Sequence, residues 1–138
     1  MDKDSFVGLL NEDLQTEFQS IIQYVNHTAT VSGAELRSIV EELKVHLSQE
    51  LGHAQILASQ IVFLGGIPST SATPVERSGT AMDALLADLA LEQDQLERYR
   101  ERFAQANELG LADVAEALRP LLEQTQEHVR DLQGALGR

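Results

Sequence analysis

Glu50 and His53 stand three residues apart in the run Glu50-Leu-Gly-His53. That spacing projects both side chains from one face of a helix. The face is otherwise apolar, with Leu43, Leu47, Leu57 and Ile61 along it. A carboxylate and an imidazole buried together are costly unless something compensates the charge. A metal ion does so well, and Glu-x-x-His is how helix bundles build carboxylate-bridged sites for paired metals. Alone, a Glu and a His at this spacing are a weak signal, and their weight depends on what accompanies them.

Three further apolar stripes are broken in the same manner. Glu17 falls between Leu14 and Ile21, and Glu92 between Leu89 and Leu96. Thr125 and His128 fall between Leu121 and Leu132. In an antiparallel helical hairpin, residues equally far from the turn lie at equal height. Glu17 and Glu50 flank Gly33 in this way, and Glu92 and the pair Thr125/His128 flank Gly110. Each lies about 24 Å from its turn at 1.5 Å per residue. One inward Glu on a helix is usually a surface residue on a misjudged face, but scattered surface residues would not converge on one height. Hard carboxylates with imidazole suit iron or manganese. His27 reads as ordinary, as does His46, which lies two turns before His53 on a nearby face and is only a weak candidate for an extra ligand. Glu41, Glu42, Glu97 and Glu101 read as a solvated face.

Four amphipathic helices must carry these residues. Apolar residues at helical spacing predict helices over about Lys3–Thr30, Ala34–Leu64, Thr80–Leu109 and Leu111–Leu136. Met82, Tyr99 and Phe103 count among the apolar positions of the third. Gly33 and Gly110 mark short turns, and Gly65-Gly66 ends the second helix. The turn-rich stretch Ile67 to Gly79 is long enough to travel the length of a bundle, so the helices it joins are expected to run parallel. Short turn, long crossing, short turn gives an all-α four-helix bundle of two helical hairpins joined by a long crossover loop. Pro120 removes a backbone donor inside the fourth helix and is expected to kink it.

The 138 residues suffice for one domain, residues 1–138, with a proper core. The absence of cysteine excludes disulfides, thiolate metal sites and redox thiols. A formal charge of −12 argues against nucleic acid as a partner and favours cations. Neither a signal-peptide pattern nor a membrane-length apolar run is present, so the expected location is cytoplasmic, with no membrane partner.

With these residues placed, the chain resembles a bacterioferritin-type member of the ferritin-like superfamily over nearly its whole length. The run Glu17-Phe-Gln-Ser-Ile-Ile-Gln-Tyr24 is similar to the family's Glu-x-x-x-Ile-x-Gln-Tyr. Glu50-Leu-Gly-His-Ala and Ile61-Val-Phe-Leu-Gly-Gly-Ile-Pro resemble its Glu-x-x-His-Ala and Ile-Leu-Phe-Leu-x-Gly-x-Pro. Asp88-Leu-Ala-Leu-Glu92 is also close. The resemblance implies a ferritin-like bundle holding two irons per chain, manganese or another divalent metal being an alternative. It implies Glu17 and His53 as ligands of one iron, Glu92 and His128 as ligands of the other, and Glu50 as a bridge. Tyr24 would stand beside the site as a hydrogen-bond or electron donor.

Two departures qualify that implication. Where the family has a second Glu-x-x-His, this chain has Thr125-Gln-Glu-His128, and one bridging carboxylate is missing. Glu127 points about 100° away from His128 around the helix and cannot replace it. Three carboxylates leave a surplus positive charge beside two ferrous ions, so a hydroxide or other anion must complete the site, or affinity for one metal falls. The second departure is Leu51, which occupies the place of the family's haem-binding methionine, so no haem is expected. No fifth helix is expected after the fourth, which leaves a dimer and a larger shell both open as homo-oligomers. The expected function is oxidation of Fe(II) by oxygen or peroxide for iron storage or detoxification, with ferroxidase-like activity if the site is intact. The alternatives are a protein binding one metal at Glu17, Glu50 and His53, and a metal-free structural or interaction module. DNA protection is disfavoured by the acidic charge.

Overall fold

The computed structural model describes every residue from Met1 to Arg138. Its helices are α1 (Lys3–Thr30), α2 (Arg37–Phe63), α3 (Ala81–Glu108) and α4 (Ala112–Ala135). A single 3-10 turn, Ala34–Leu36, leads into α2, and there is no strand. α1 packs on α2 and α3, and α4 packs on α2 and α3 to close the bundle, while the backbones of the diagonal pairs, α1–α4 and α2–α3, stay apart. Contacts between α1 and α3 run Asp13–Arg102 and Gln23–Asp88, so these helices are antiparallel. Those between α2 and α4 run His46–Asp131 and His53–Gln124, also antiparallel.

The crossover, residues 64–80, lies along α1. Asn11 Nδ2 donates to the Ile67 carbonyl, Thr73 N donates to the Gln15 carbonyl, and Ser78 Oγ meets His27 Nε2. The loop thus travels the bundle's length and returns the chain to start α3 parallel to α2, as the sequence predicts. Helix ends follow local chemistry. The Asp2 carboxylate accepts from Ser5 N at 2.8 Å to cap α1, and Thr80 Oγ1 accepts from Asp83 N at 3.0 Å to cap α3. α3 ends where Gly110 takes φ +75°, which lets Leu111 N donate to the Ala106 carbonyl. At the end of α2, a Cβ on Gly66 would lie 2.5 Å from Val7, so only glycine lets α1 approach so closely.

The core divides into two apolar clusters. One includes Phe6, Leu10, Leu14, Leu57, Ile61 and Leu118. The other includes Leu43, Leu85, Leu89, Leu96, Val129 and Leu132. Burying each Leu contributes about 1.5–3 kcal/mol, so the two plugs carry the bundle's stability. Between them lies a layer of buried polar side chains from all four helices.

One detail departs from the sequence expectations. Met82, counted with the apolar stripe of the third helix, is 55% exposed, because it lies in the first turn of α3, outside the plug. Pro120 lies inside α4 on its exposed face, and the helix continues on both sides of it. The Glu116 carbonyl that proline leaves without a partner therefore faces water, which can take its place.

Candidate metal centre

The polar layer is where the apolar stripes are interrupted. Glu17 on α1, Glu50 and His53 on α2, Glu92 on α3 and His128 on α4 are all at most 1% exposed. Glu50 stands at the middle. Its Oε2 is 3.2 Å from His53 Nδ1 and its Oε1 is 3.1 Å from His128 Nδ1, so each oxygen faces a different imidazole. Glu17 Oε1 lies 3.4 Å from His53 Nδ1, and Glu92 Oε1 lies 3.2 Å from His128 Nδ1. Glu17, Glu50 and His53 bring one ligand atom each within 4.8 Å of one another. Glu92 and His128 do the same with His46.

The outer ring nitrogens settle how the imidazoles are held. His53 Nε2 donates to Gln124 Oε1 at 2.8 Å, and His128 Nε2 donates to Gln49 Oε1 at 2.5 Å. A neutral ring that donates through Nε2 turns a bare lone pair inward from Nδ1. Two such lone pairs then face carboxylate oxygens, an arrangement that needs a proton or a metal cation between them. Buried Glu17 Oε2, Glu92 Oε2 and Thr125 Oγ1 have no hydrogen-bond partner at all. Unpaired buried carboxylate oxygens are expensive. Both features fit a divalent metal, and the donor set suits iron.

Burial, reinforced by Glu17 and Glu92, pushes the Glu50 carboxyl well above the usual range and favours its protonated form. Burial also acts to raise Glu92, but its contacts with His128, with Glu50 and with the Tyr24 hydroxyl outweigh it and lower the group. Burial opposes protonation of His53, yet the neighbouring Glu17 carboxylate wins and raises it.

Tyr24 is buried and its hydroxyl donates to Glu92 Oε1 at 2.8 Å, beside the site as the sequence places it. Tyr99, read from sequence only as an apolar position, makes the mirror contact, its hydroxyl donating to Glu17 Oε1. One constant offset of 75 positions (17 to 92, 50 to 125) relates the two hairpins. It pairs Glu17 with Glu92, Tyr24 with Tyr99, Gln49 with Gln124 and His53 with His128. Each tyrosine reaches across to the other helix's glutamate, and each glutamine to the other hairpin's histidine. That repeat is the signal through which Tyr99, Gln49 and Gln124 could have been found. It breaks at Glu50, whose mate is Thr125.

His27 lies outside the layer, with Nδ1 2.8 Å from Asp88. His46, set aside in sequence as ordinary, is 1% exposed and stacks on His128, ring centroids 4.0 Å apart. Glu41, Glu97 and Glu101 are exposed as expected, whereas Glu42 is half-buried and its carboxyl raised, by burial and then by Asp131.

Comparison with known proteins gives the arrangement a context. The family model "Ferritin: Ferritin-like domain" matches residues 7–138. The bacterioferritin of Mycobacterium leprae is 27% identical over 129 residues, 93% of this chain and 81% of that protein. The crystal structure of a ferritin-like, diiron-carboxylate protein from Bacillus anthracis superposes with a TM-score of 0.93 at 30% identity, covering 99% of both chains. A mycobacterial bacterioferritin structure superposes with a TM-score of 0.88 at 27% identity, covering 99% of this chain and 85% of that one. With the four-helix bundle and the family match in agreement, this chain belongs to the ferritin family as a ferritin-like protein with bacterioferritin relatives.

Proposed function

We propose that this protein binds iron inside its bundle and oxidises Fe(II) with oxygen or peroxide, in the service of iron storage or detoxification. The observation that carries the reading is the buried layer of three carboxylates and inward-facing imidazole nitrogens, with carboxylate oxygens that have no partner. Glu17 and His53 would hold one iron, Glu92 and His128 the other, and Glu50, which faces both histidines, would bridge them. Each bound Fe(II) would give up one electron, and a pair would together supply the two electrons that reduce oxygen to peroxide or peroxide to water.

The chain's own groups do the rest. Glu50 gives up its proton as metal enters. The glutamines hold the imidazoles in the tautomer that presents Nδ1, which is how outer partners fix ligand orientation. Tyr24 and Tyr99 hold one oxygen of Glu92 and Glu17 and leave the other free. The apolar plugs above and below keep bulk water from the layer. With Leu51 in the place of the haem-binding methionine, the protein acts without haem. No helix is long and apolar enough to cross a membrane, and we place the protein in the cytoplasm. Ile22, Val25, Val45 and Leu51 leave apolar surface exposed on α1 and α2, which supports assembly into a homo-oligomer.

A second reading, one metal held by Glu17, Glu50 and His53, is favoured by Thr125, a buried hydroxyl where a carboxylate would complete the pair. Aerobic Fe(II) oxidation followed by absorbance tests the main reading. The wild type should oxidise Fe(II) well above the protein-free rate and Glu50→Ala should fall to that rate. Equal rates in the two proteins would overturn the reading.

A further inference from the structure

The gap left by Thr125 has a counterpart elsewhere in the layer. The offset that pairs Glu50 with Thr125 pairs His46 with Leu121, a residue of the apolar plug. The second hairpin has thus lost a carboxylate at one position, and the first has gained a buried imidazole at another. Both lie on the α2–α4 side of the bundle. His46 rests on His128 with the rings 26° from coplanar, and its ligand atom falls within 4.8 Å of those of Glu92 and His128.

His46 is also held as the other two histidines of the layer are held. Its Nε2 lies 3.0 Å from Asp131 Oδ2, as His53 Nε2 lies against Gln124 and His128 Nε2 against Gln49. With the Nε2 proton on Asp131, Nδ1 turns inward as a lone pair, 3.2 Å from the Tyr24 oxygen. The Tyr24 proton goes to Glu92, so that lone pair receives no proton. Three imidazoles with outer nitrogens anchored and inner ones bare is the arrangement expected of three ligands.

We infer that His46 replaces the missing carboxylate as a ligand of the second metal, giving that metal Glu92, His46 and His128 beside the bridging Glu50. The inference rests on the paired-metal reading above. The two sites then differ in kind: beside the shared Glu50, the first has one carboxylate and one imidazole, and the second has one carboxylate and two imidazoles. Asp131 is a positioning residue. It orients the His46 ring and places a fourth negative charge behind the imidazole instead of on the metal. Glu42, grouped with Asp131 and His46, adds to that negative field.

Anaerobic titration with Co(II), followed by its visible absorption and by equilibrium dialysis, tests this without recourse to turnover. The wild type should bind two equivalents per chain. His46→Gln, which keeps a polar side chain of similar size, should weaken the second equivalent by at least ~100-fold and leave the first unchanged. Asp131→Asn should weaken the second by about 10- to 100-fold. Adding Thr125→Glu to His46→Gln should restore it, which a merely structural role for His46 would not allow. X-ray absorption of the two-Zn(II) protein should count three imidazoles per metal pair, falling to two in His46→Gln. Two unchanged equivalents in folded His46→Gln, or two imidazoles per pair in the wild type, would overturn the inference and leave the paired-metal reading standing. A wild type binding one equivalent, lost in His53→Ala, would overturn the inference and support the single-metal reading. No binding at all would overturn both.

Discussion

Glu50 concentrates the chemistry at the scale of single residues. Burial and two neighbouring carboxylates raise its carboxyl, so the folded metal-free chain keeps a proton that the unfolded chain has lost. A carboxyl raised by folding costs stability as pH climbs from its unfolded value of 4.5 toward the folded one. Metal binding runs against the same proton. Zn(II) binding should therefore release a proton from Glu50 at pH values between its unfolded and folded pKa, and affinity should rise with pH through that window. Calorimetry in two buffers with different ionisation heats measures the release. Glu50→Gln should release about one proton fewer, and an unchanged count would remove Glu50 from the binding step. At this scale the sequence disclosed identity and facing but not reach. Glu17, Glu92 and His128 could be placed inward from periodicity, because a helix fixes which face a residue occupies. Tyr99 could not be distinguished from an ordinary core aromatic. Nothing in its own helix shows that its hydroxyl ends on Glu17 of another. His46 was passed over for the same reason, since its partners Asp131 and His128 are on α4.

At the scale of the elements, four helices and their ends were legible to within a residue, except at the start of α2, where Ala34–Leu36 forms a 3-10 turn before the helix begins at Arg37. Their apolar spacing is regular, and Gly33, Gly65 and Gly110 punctuate it. The parallel crossover was legible from loop length alone, although its course along α1 depends on side chains such as Asn11 and Gln15 that carry no such signal. Pro120 lies inside α4, as its place within the fourth predicted helix implies. A missing donor in a helix is tolerated when the stranded carbonyl faces water, and sequence does not show which way it faces. The residue still carries the intrinsic cost of proline within a helix. Pro120→Ala should therefore stabilise the protein by about 1–2 kcal/mol, once the greater flexibility of the unfolded variant is set against that cost. Urea unfolding of the metal-free protein measures it. A destabilised variant would mean that the proline bends α4 to fit the layer.

For the molecule as a whole, two apolar plugs enclose a polar layer whose unpaired buried carboxylates weaken the metal-free fold. The surface is acidic, which draws cations, yet it keeps apolar side chains exposed on α1 and α2. Val25, 50% exposed, and Leu51, 51% exposed, lie on the face we propose to meet a second copy. Sedimentation of the wild type should show an assembly larger than one chain, and Val25→Glu with Leu51→Glu should shift it toward the 15.2 kDa monomer. A monomeric wild type would reject this face as an interface.

We read the buried layer as a two-metal centre despite Thr125. Anaerobic Fe(II) titration of the metal-free protein, counting tightly bound ions per chain, is the measurement to make first. Two are expected. A count of one would contradict that reading in favour of a single site at Glu17, Glu50 and His53, and a count of none would contradict metal binding by this layer altogether.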